Sequence, residues 1–542
     1  MLPAEQAYMD GSFGRGANTM VSVSEVGDDG ALTSDLSFKN VGGYIYFRLY
    51  GKTGVKVNSI TLTGNRGEPL AGEATVTINP GETPKLTMSS TATNSITLVC
   101  DPPVAVGTSK TNYVEFWMAV PPTEFTEGFT FTIRGGGSVI EKRVSSSVSV
   151  KRNHVVPIAA VKVPYNASNT YSVRSRESMT LKEKVGQMIM ASDYAIVGSY
   201  KKAMTSTLQS RFSSYPCGGF IITAGNVQSP SQLTQYMADL HDLADYPLLS
   251  IDEEGGNVAR IGLGGDGNNY TANFPEICST NASRVAKTIG DTGDPSNAYA
   301  AGNYIGTYLR EFGLDINLAP VADVYNPNTP ENPITKKKRS YSSDPSVAAS
   351  MVAAYLHGLQ DAEVEGCLKH FPGHGDVGTD THYGYSEITK TWGQMLQKEI
   401  IPFKRGIDND ARMIMTAHIT LPNVLSEYGY TELVPSTMSY LILHDKLRVE
   451  LGFDGVIITD SMGMGAITNQ FNSRTEAAIR AILAGVDIVL SPADSYSGYT
   501  TVIDGIVSAV QSGRISESRI NESVDRILNL KRHILAERGQ LQ

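Results

Sequence analysis

Cysteine and tryptophan are scarce, with four and two in 542 residues. Cys100, Cys217, Cys278 and Cys367 lie far apart and match no CxxC spacing, so they outline neither a zinc module nor a disulfide framework. No apolar run reaches the roughly 18 residues that a membrane-spanning helix requires. A surplus of positive charge is missing as well. Lys and Arg number 45 against 55 Asp and Glu, a formal net charge of -10, and no surface concentrates enough cations to displace counterions from nucleic acid. The one basic cluster, Lys336 to Arg339, contains lysines that a solvated loop explains. The opening residues MLPAEQAYMDG lack the charged segment and apolar core of a signal peptide.

The remaining sequence has two textures. Residues 1–163 alternate apolar and polar with a period of two, as in GYIYFRLYG, SITLTG, NYVEFWMAV and FTFTIRG, between Gly, Pro and Asn turn signals. This pattern predicts an accessory antiparallel β-sandwich. Residues 164–178 read as a linker. From 179 to 542 short apolar bursts alternate with amphipathic helices, opening with a capping box at Thr180 and Glu183. The bursts are GQMIMAS, GGFIIT, PLLSID, DINLAPVADV, EGCLKHF, RMIMTAHI, FDGVIITD and VDIVLSP. Eight such units predict a (β/α)8 barrel. The competing doubly wound sheet would want a glycine-rich phosphate loop after its first strand, and none is present.

In a barrel, chemistry gathers at the C-terminal ends of the strands. The polar residues ending the bursts are Asp252, Asp323, Lys369, His370, His418 and Asp460. Any one of them alone could be a loop cap; their convergence on one rim argues for a site. The stretch KHFPGHGDVGTDTHYGYSEI, residues 369–388, is a long glycine-rich loop presenting His374, Asp376, Asp380 and His382. Imidazoles beside carboxylates suit a metal, yet a mobile glycine-rich loop holds a metal poorly, so no metal or cofactor is expected. Proton transfer is the alternative, with Asp380 orienting His382. An acid of this kind opposite a fixed carboxylate is what retaining glycoside hydrolysis requires.

The blocks KHFPGHGDVGTDTHYG, MTLKEKVGQM, IDEEGGNVAR, LAPVADV, RSYSSDP, MTAHI, LGFDGVIITDSMGMGAI and AAIRAILAGVDIVL resemble, in the same order, the bacterial β-N-acetylglucosaminidases of glycoside hydrolase family 3. The resemblance covers residues 175–535. It implies Asp460 as nucleophile and His382 with Asp380 as acid/base dyad. It also implies a sugar pocket of Asp252, Arg260, Arg339, Lys369 and His370, with Met464 packed near the nucleophile. The family pattern usually has Gln and Arg where this chain has Glu253 and Asn257, which bears on fine substrate contacts. Glucoside-cleaving members carry a further α/β domain that supplies a glutamate acid/base, and the resemblance to the histidine-loop form leads to the expectation that this sequence has none. The implied substrate is a glycan or peptidoglycan fragment with terminal β-linked N-acetylglucosamine. A phosphorylase or a β-glucosidase of the same family remains an alternative, as does a surface glycan-binding protein with an inactive barrel. The N-terminal segments VNSITLTGNRGEPLAGEATVTI and FTFTIRGGGSVIEKRVSSSVSVKRNHVVPIAAVKV resemble fimbrillin-like domains of exported Bacteroidetes lipoproteins. That resemblance implies a periplasmic or cell-surface location, with the lipid-anchor signal absent from this sequence.

Overall fold

The computed structural model describes all residues except 1, 15, 33–34, 52–54, 80–81, 136–137, 164–169, 263–268, 280, 379–383 and 385. The chain divides into two compact units, residues 1–170 with 536–542, and residues 171–535.

In the first unit the period-two segments are strands. One sheet has six strands in the order Ser138–Val144, Phe129–Gly135, Lys56–Gly64, Ser95–Ala105, Glu5–Met9 and Ser12–Phe13. A second pairs Val114–Val120 and Val155–Pro157 with Gly43–Gly51, which Val161–Val163 also joins. Alternate residues point to a shared core: Ile45, Phe47 and Leu49 from one sheet meet Ile60, Leu62, Leu98 and Phe131 from the other. Most pairs are antiparallel. Three are parallel, because Glu5–Met9 lies along Ser95–Ala105 and both late strands run alongside Gly43–Gly51. Alternation reports which face is buried and is blind to strand direction.

All eight apolar bursts of the second unit are strands. They are β1 (Ile189–Ala191), β2 (Gly219–Ile222), β3 (Leu248–Ile251), β4 (Ile316–Asn317), β5 (Glu365–Phe371), β6 (Met413–Thr416), β7 (Val456–Thr459) and β8 (Val489–Leu490). From β1 to β7 each strand pairs parallel with the next, and β1 pairs parallel with β8. Between β7 and β8 there is an isolated parallel bridge from Ile458 to Ile488, the residue before β8, so the barrel is nearly closed. The strands are apolar throughout because helices cover one side and the barrel core fills the other. The helices carry the expected stripes. Pro295–Phe312 buries Ala298, Ala301, Ile305, Tyr308, Leu309 and Phe312, is capped by Asp294, and ends at Gly313 with φ 93°. The Thr180–Glu183 capping box is present.

Carboxylates occupy both rims, with different uses. At the N-terminal rim Asp315 takes bonds from Tyr246, the Leu249 amide and His241, while Asp487 takes them from Arg448 and Ser523. These groups tie the barrel floor together. At the opposite rim Asp252 and Asp460 are only partly buried.

Candidate active site

Asp460 follows β7 directly. Its amide donates to the Thr416 carbonyl at 3.2 Å, fixing it against β6. Its Oδ1 accepts from the Ser461 amide at 2.7 Å, while the half-buried side chain leaves Oδ2 for other partners. Burial pushes the carboxyl upward in pKa, but the imidazoles of His370 and His418, the Ser461 amide and Lys369 outweigh it and hold the group below its ordinary value. His418 is buried. It meets Thr437 Oγ1 at 2.8 Å through Nδ1, and through Nε2 donates to the Ser461 carbonyl at 3.1 Å. Burial lowers its pKa, against the opposing pull of the Asp460 carboxylate and the Ser461 backbone. Met464, also buried, closes the turn after Asp460 with its amide on the Ser461 carbonyl at 3.1 Å.

Across the rim lies a charged pocket. Lys369, 2% exposed, places Nζ 2.7 Å from Asp252 Oδ1 and 2.7 Å from Glu254 Oε1. Burial pulls its pKa down, yet the two carboxylates outweigh burial and raise it instead. Arg339 grips both oxygens of Glu254, Nε to Oε2 at 2.9 Å and NH2 to Oε1 at 2.6 Å. These two cations outweigh burial and hold Glu254 well below the usual carboxylate range. Arg260 approaches Asp252 Oδ2 at 3.5 Å. His370, joined to Lys369 by a cis peptide, meets Asp323 Oδ2 at 2.7 Å through Nδ1 and turns Nε2 toward Arg339 at 3.4 Å. The structure therefore brings Asp252, Arg260, Arg339, Lys369 and His370 into one network, and Asp460 lies within the electrostatic reach of His370 and Lys369.

Asp380 and His382 lie outside the described residues. The flanks of their loop are well tied. Asp323 Oδ1 accepts the His374 amide at 2.7 Å, and buried Asn332 donates to the carbonyls of His374 at 3.0 Å and Val377 at 2.8 Å. On the far side Lys390 bonds both Asp376 and Glu399, and Lys398 reaches Asp376 at 3.1 Å. Asp376 and Lys390 thus join the two ends of the segment that contains Asp380 and His382.

Sequence reasoning assigned no role to Glu254 as a double clamp, to Asp323 as the partner of His370, or to the Asp376–Lys390 tie. The paired acids of IDEEGG and the acid ending LAPVAD were the only signals, since each partner lies far away in the chain.

A model of the glycosyl hydrolase family 3 N terminal domain matches residues 180–530. Beta-hexosaminidase A of Pseudoalteromonas piscicida is 32% identical over 392 residues, which are 67% of this chain and 63% of that protein. A beta-hexosaminidase of Nitrosomonas eutropha is 30% identical over 336 residues, 60% of this chain and 89% of its own. Among solved structures, a glycoside hydrolase family 3 beta-N-acetylglucosaminidase from Paenibacillus sp. str. FPU-7 matches with TM-score 0.56 and 34% identity, over 66% of this chain and 63% of the other. The match thus spans less than two thirds of the Pseudoalteromonas and Paenibacillus proteins. With a family model running from the first capping box to the final helix of the barrel, the chain belongs to glycosyl hydrolase family 3.

Proposed function

We propose that this protein is a retaining exo-β-N-acetylglucosaminidase acting on terminal β-linked N-acetylglucosamine of glycans or peptidoglycan fragments. The observation that carries the reading is an ionised Asp460 at the end of β7, facing a pocket of fixed charges built by Asp252, Glu254, Arg339 and Lys369. Ionised oxygens and guanidinium and ammonium donors in that pocket suit sugar hydroxyls, and fixed dipoles need no reorganisation as charge develops. The name of the Paenibacillus relative supports the acetamido sugar, and that of the Nitrosomonas relative supports a hexosaminide.

In the first step Asp460 Oδ2 attacks the anomeric carbon. The bond from that carbon to the leaving oxygen breaks, and His382, oriented by Asp380, delivers a proton to that oxygen. In the second, His382 takes a proton from water, whose oxygen displaces Asp460 and frees the sugar. His370, held by Asp323, and Lys369, held by two carboxylates, bind the sugar ring together with Asp252, Arg260 and Arg339, and Met464 packs beside the nucleophile.

We also propose the division into a β-sandwich of fimbrillin type at 1–163, a linker at 164–178 and the catalytic barrel at 179–542, with the protein exported to the periplasm or cell surface. The two sheets around one apolar core support the sandwich. The location rests on the sequence resemblance alone, and fractionation of expressing cells tests it.

The deciding experiment compares hydrolysis of 4-nitrophenyl β-N-acetylglucosaminide and the matching β-glucoside by wild type and Asp460→Ala, with and without phosphate. The reading expects cleavage of the acetamido sugar alone, abolished in the variant and indifferent to phosphate. A slow fluorinated donor should also leave the mass of one sugar on the peptide containing Asp460. Phosphate-stimulated turnover would make it a phosphorylase, and an active Asp460→Ala would remove the nucleophile from this mechanism.

A further inference from the structure

Between Asp252 and Glu254, the two carboxylates that hold Lys369, the chain places a third that faces the other way. Glu253 is 1% exposed. Its backbone is locked to β4, with its amide on Asn317 Oδ1 at 3.1 Å and its carbonyl accepting from Asn317 Nδ2 at 2.8 Å. Its side chain turns into the layer beneath the rim. There Oε2 accepts the amides of Arg260 at 2.6 Å and Ile261 at 3.2 Å, while Oε1 accepts from the Tyr308 hydroxyl at 2.9 Å. Tyr308 lies on the helix Pro295–Phe312, so a single carboxylate joins that helix to the loop after β3.

We infer that Glu253 is a positioning residue for sugar binding, acting through Arg260 and not on the sugar itself. The path is short and continuous. The carboxylate fixes the Arg260 amide. Arg260 then extends a side chain, about one third exposed, back over the rim to Asp252 Oδ2 at 3.5 Å. Asp252 in turn holds Lys369 at 2.7 Å. Two amide hydrogens, a buried one on Ile261 and a part-buried one on Arg260, depend on Glu253, and without an acceptor the loop must shift to satisfy them. Arg260, tied to Asp252 only by one long contact, moves with its backbone. The Asp252–Lys369 pair keeps its own geometry, and Asp460 belongs to another strand, so binding suffers while chemistry is spared.

The inference rests on the sugar-pocket reading above and is tested apart from turnover. Affinity for N-acetylglucosamine is measured by titration calorimetry on the full chain carrying Asp460→Ala, which removes the reaction. Adding Glu253→Ala should weaken binding about tenfold, the size expected for losing an acceptor shared by two amide donors. Adding Glu253→Gln should restore most of it, because the amide oxygen can accept both hydrogens while its NH2 faces Tyr308. Arg260→Ala should weaken binding similarly, and Glu253→Ala on top of it should add nothing. If Glu253→Ala lowers the melting midpoint too far, Glu253→Leu keeps the volume and still lacks the acceptor.

Equal affinities for Glu253→Ala and its parent would overturn the inference. So would a Glu253→Gln variant as weak as Glu253→Ala, which would point to the charge, or a further loss on the Arg260→Ala background. A parent that binds no N-acetylglucosamine would overturn it together with the sugar pocket. A wild type that hydrolyses the acetamido sugar while Glu253 fails these tests leaves the enzyme reading intact.

Discussion

His370 Nδ1 lies 2.7 Å from Asp323 Oδ2, and the same carboxylate accepts the amides of His370 at 3.1 Å and His374 at 2.7 Å. Three donors converge on one buried acid. Asp323→Asn keeps the shape but puts an NH2 where one donor must point. That unpaired contact should cost roughly 1–3 kcal/mol of stability and release the His370 ring from its orientation. We expect kcat/KM for the nitrophenyl N-acetylglucosaminide to fall by about tenfold to a hundredfold, with a lower melting midpoint. A variant matching wild type in both would mean that packing alone orients His370.

How much of this was legible in advance depends on the range of the interaction. The eight strands could be read because a buried parallel strand is a short continuous apolar run, and the helices because their stripes recur at three and four. Positions such as Asp252, Lys369 and Asp460 were visible as polar residues ending such runs. The pairings were not. Lys369 and Asp252 are 117 residues apart, and nothing local in EGCLKHF says that its lysine will be shared by two acids of another loop. Glu253 shows the limit most sharply. Three consecutive acids look equivalent in IDEEGG, and only the turn after β3 sends the middle one inward. The parallel pairing of Glu5–Met9 with Ser95–Ala105 was invisible for a similar reason, since alternation carries no direction.

Lys369 Nζ is 2.7 Å from both Asp252 and Glu254. Lys369→Met keeps much of the volume and removes the charge. Breaking a buried pair from one side leaves carboxylates with fewer cations and costs about 3–5 kcal/mol. Arg339 still covers Glu254, so the lower part of that range is expected in a urea melt. The fall in kcat/KM should exceed about a hundredfold, because the sugar loses a donor and meets uncompensated negative charge. Unchanged KM and kcat would exclude Lys369 from the sugar pocket.

Lys390 ties Asp376 to Glu399, and the segment between Asp376 and Lys390 contains Asp380 and His382. In Lys390→Met the tie is lost while Lys398 still reaches Asp376. If His382 protonates the leaving group, a loosened anchor matters most when that group is poor. We expect activated nitrophenyl glycosides to lose no more than about threefold and disaccharides to lose about tenfold or more. Equal losses on both would show that the anchor serves stability and not proton delivery.

His374 provides a test in the stability curve. It is buried, and burial together with the neighbouring His370 pushes its pKa down to about 4 from an ordinary 6.5. Above pH 6.5 both folded and unfolded chains carry a neutral ring, and the group is silent. Between pH 6.5 and 4 the unfolded chain takes up a proton that the folded one refuses, so stability falls with pH. The loss approaches roughly 3 kcal/mol at pH 4. Glu253 and Glu399, raised by burial, pull the other way as they take up protons in the folded state. The measurement is therefore a difference. Subtracting the urea stability of His374→Asn from that of wild type at each pH should give a curve flat above pH 7 and dropping steadily toward pH 4. A flat difference across the whole range would mean that burial does not shift the ring and that it titrates alike in the folded and unfolded chains.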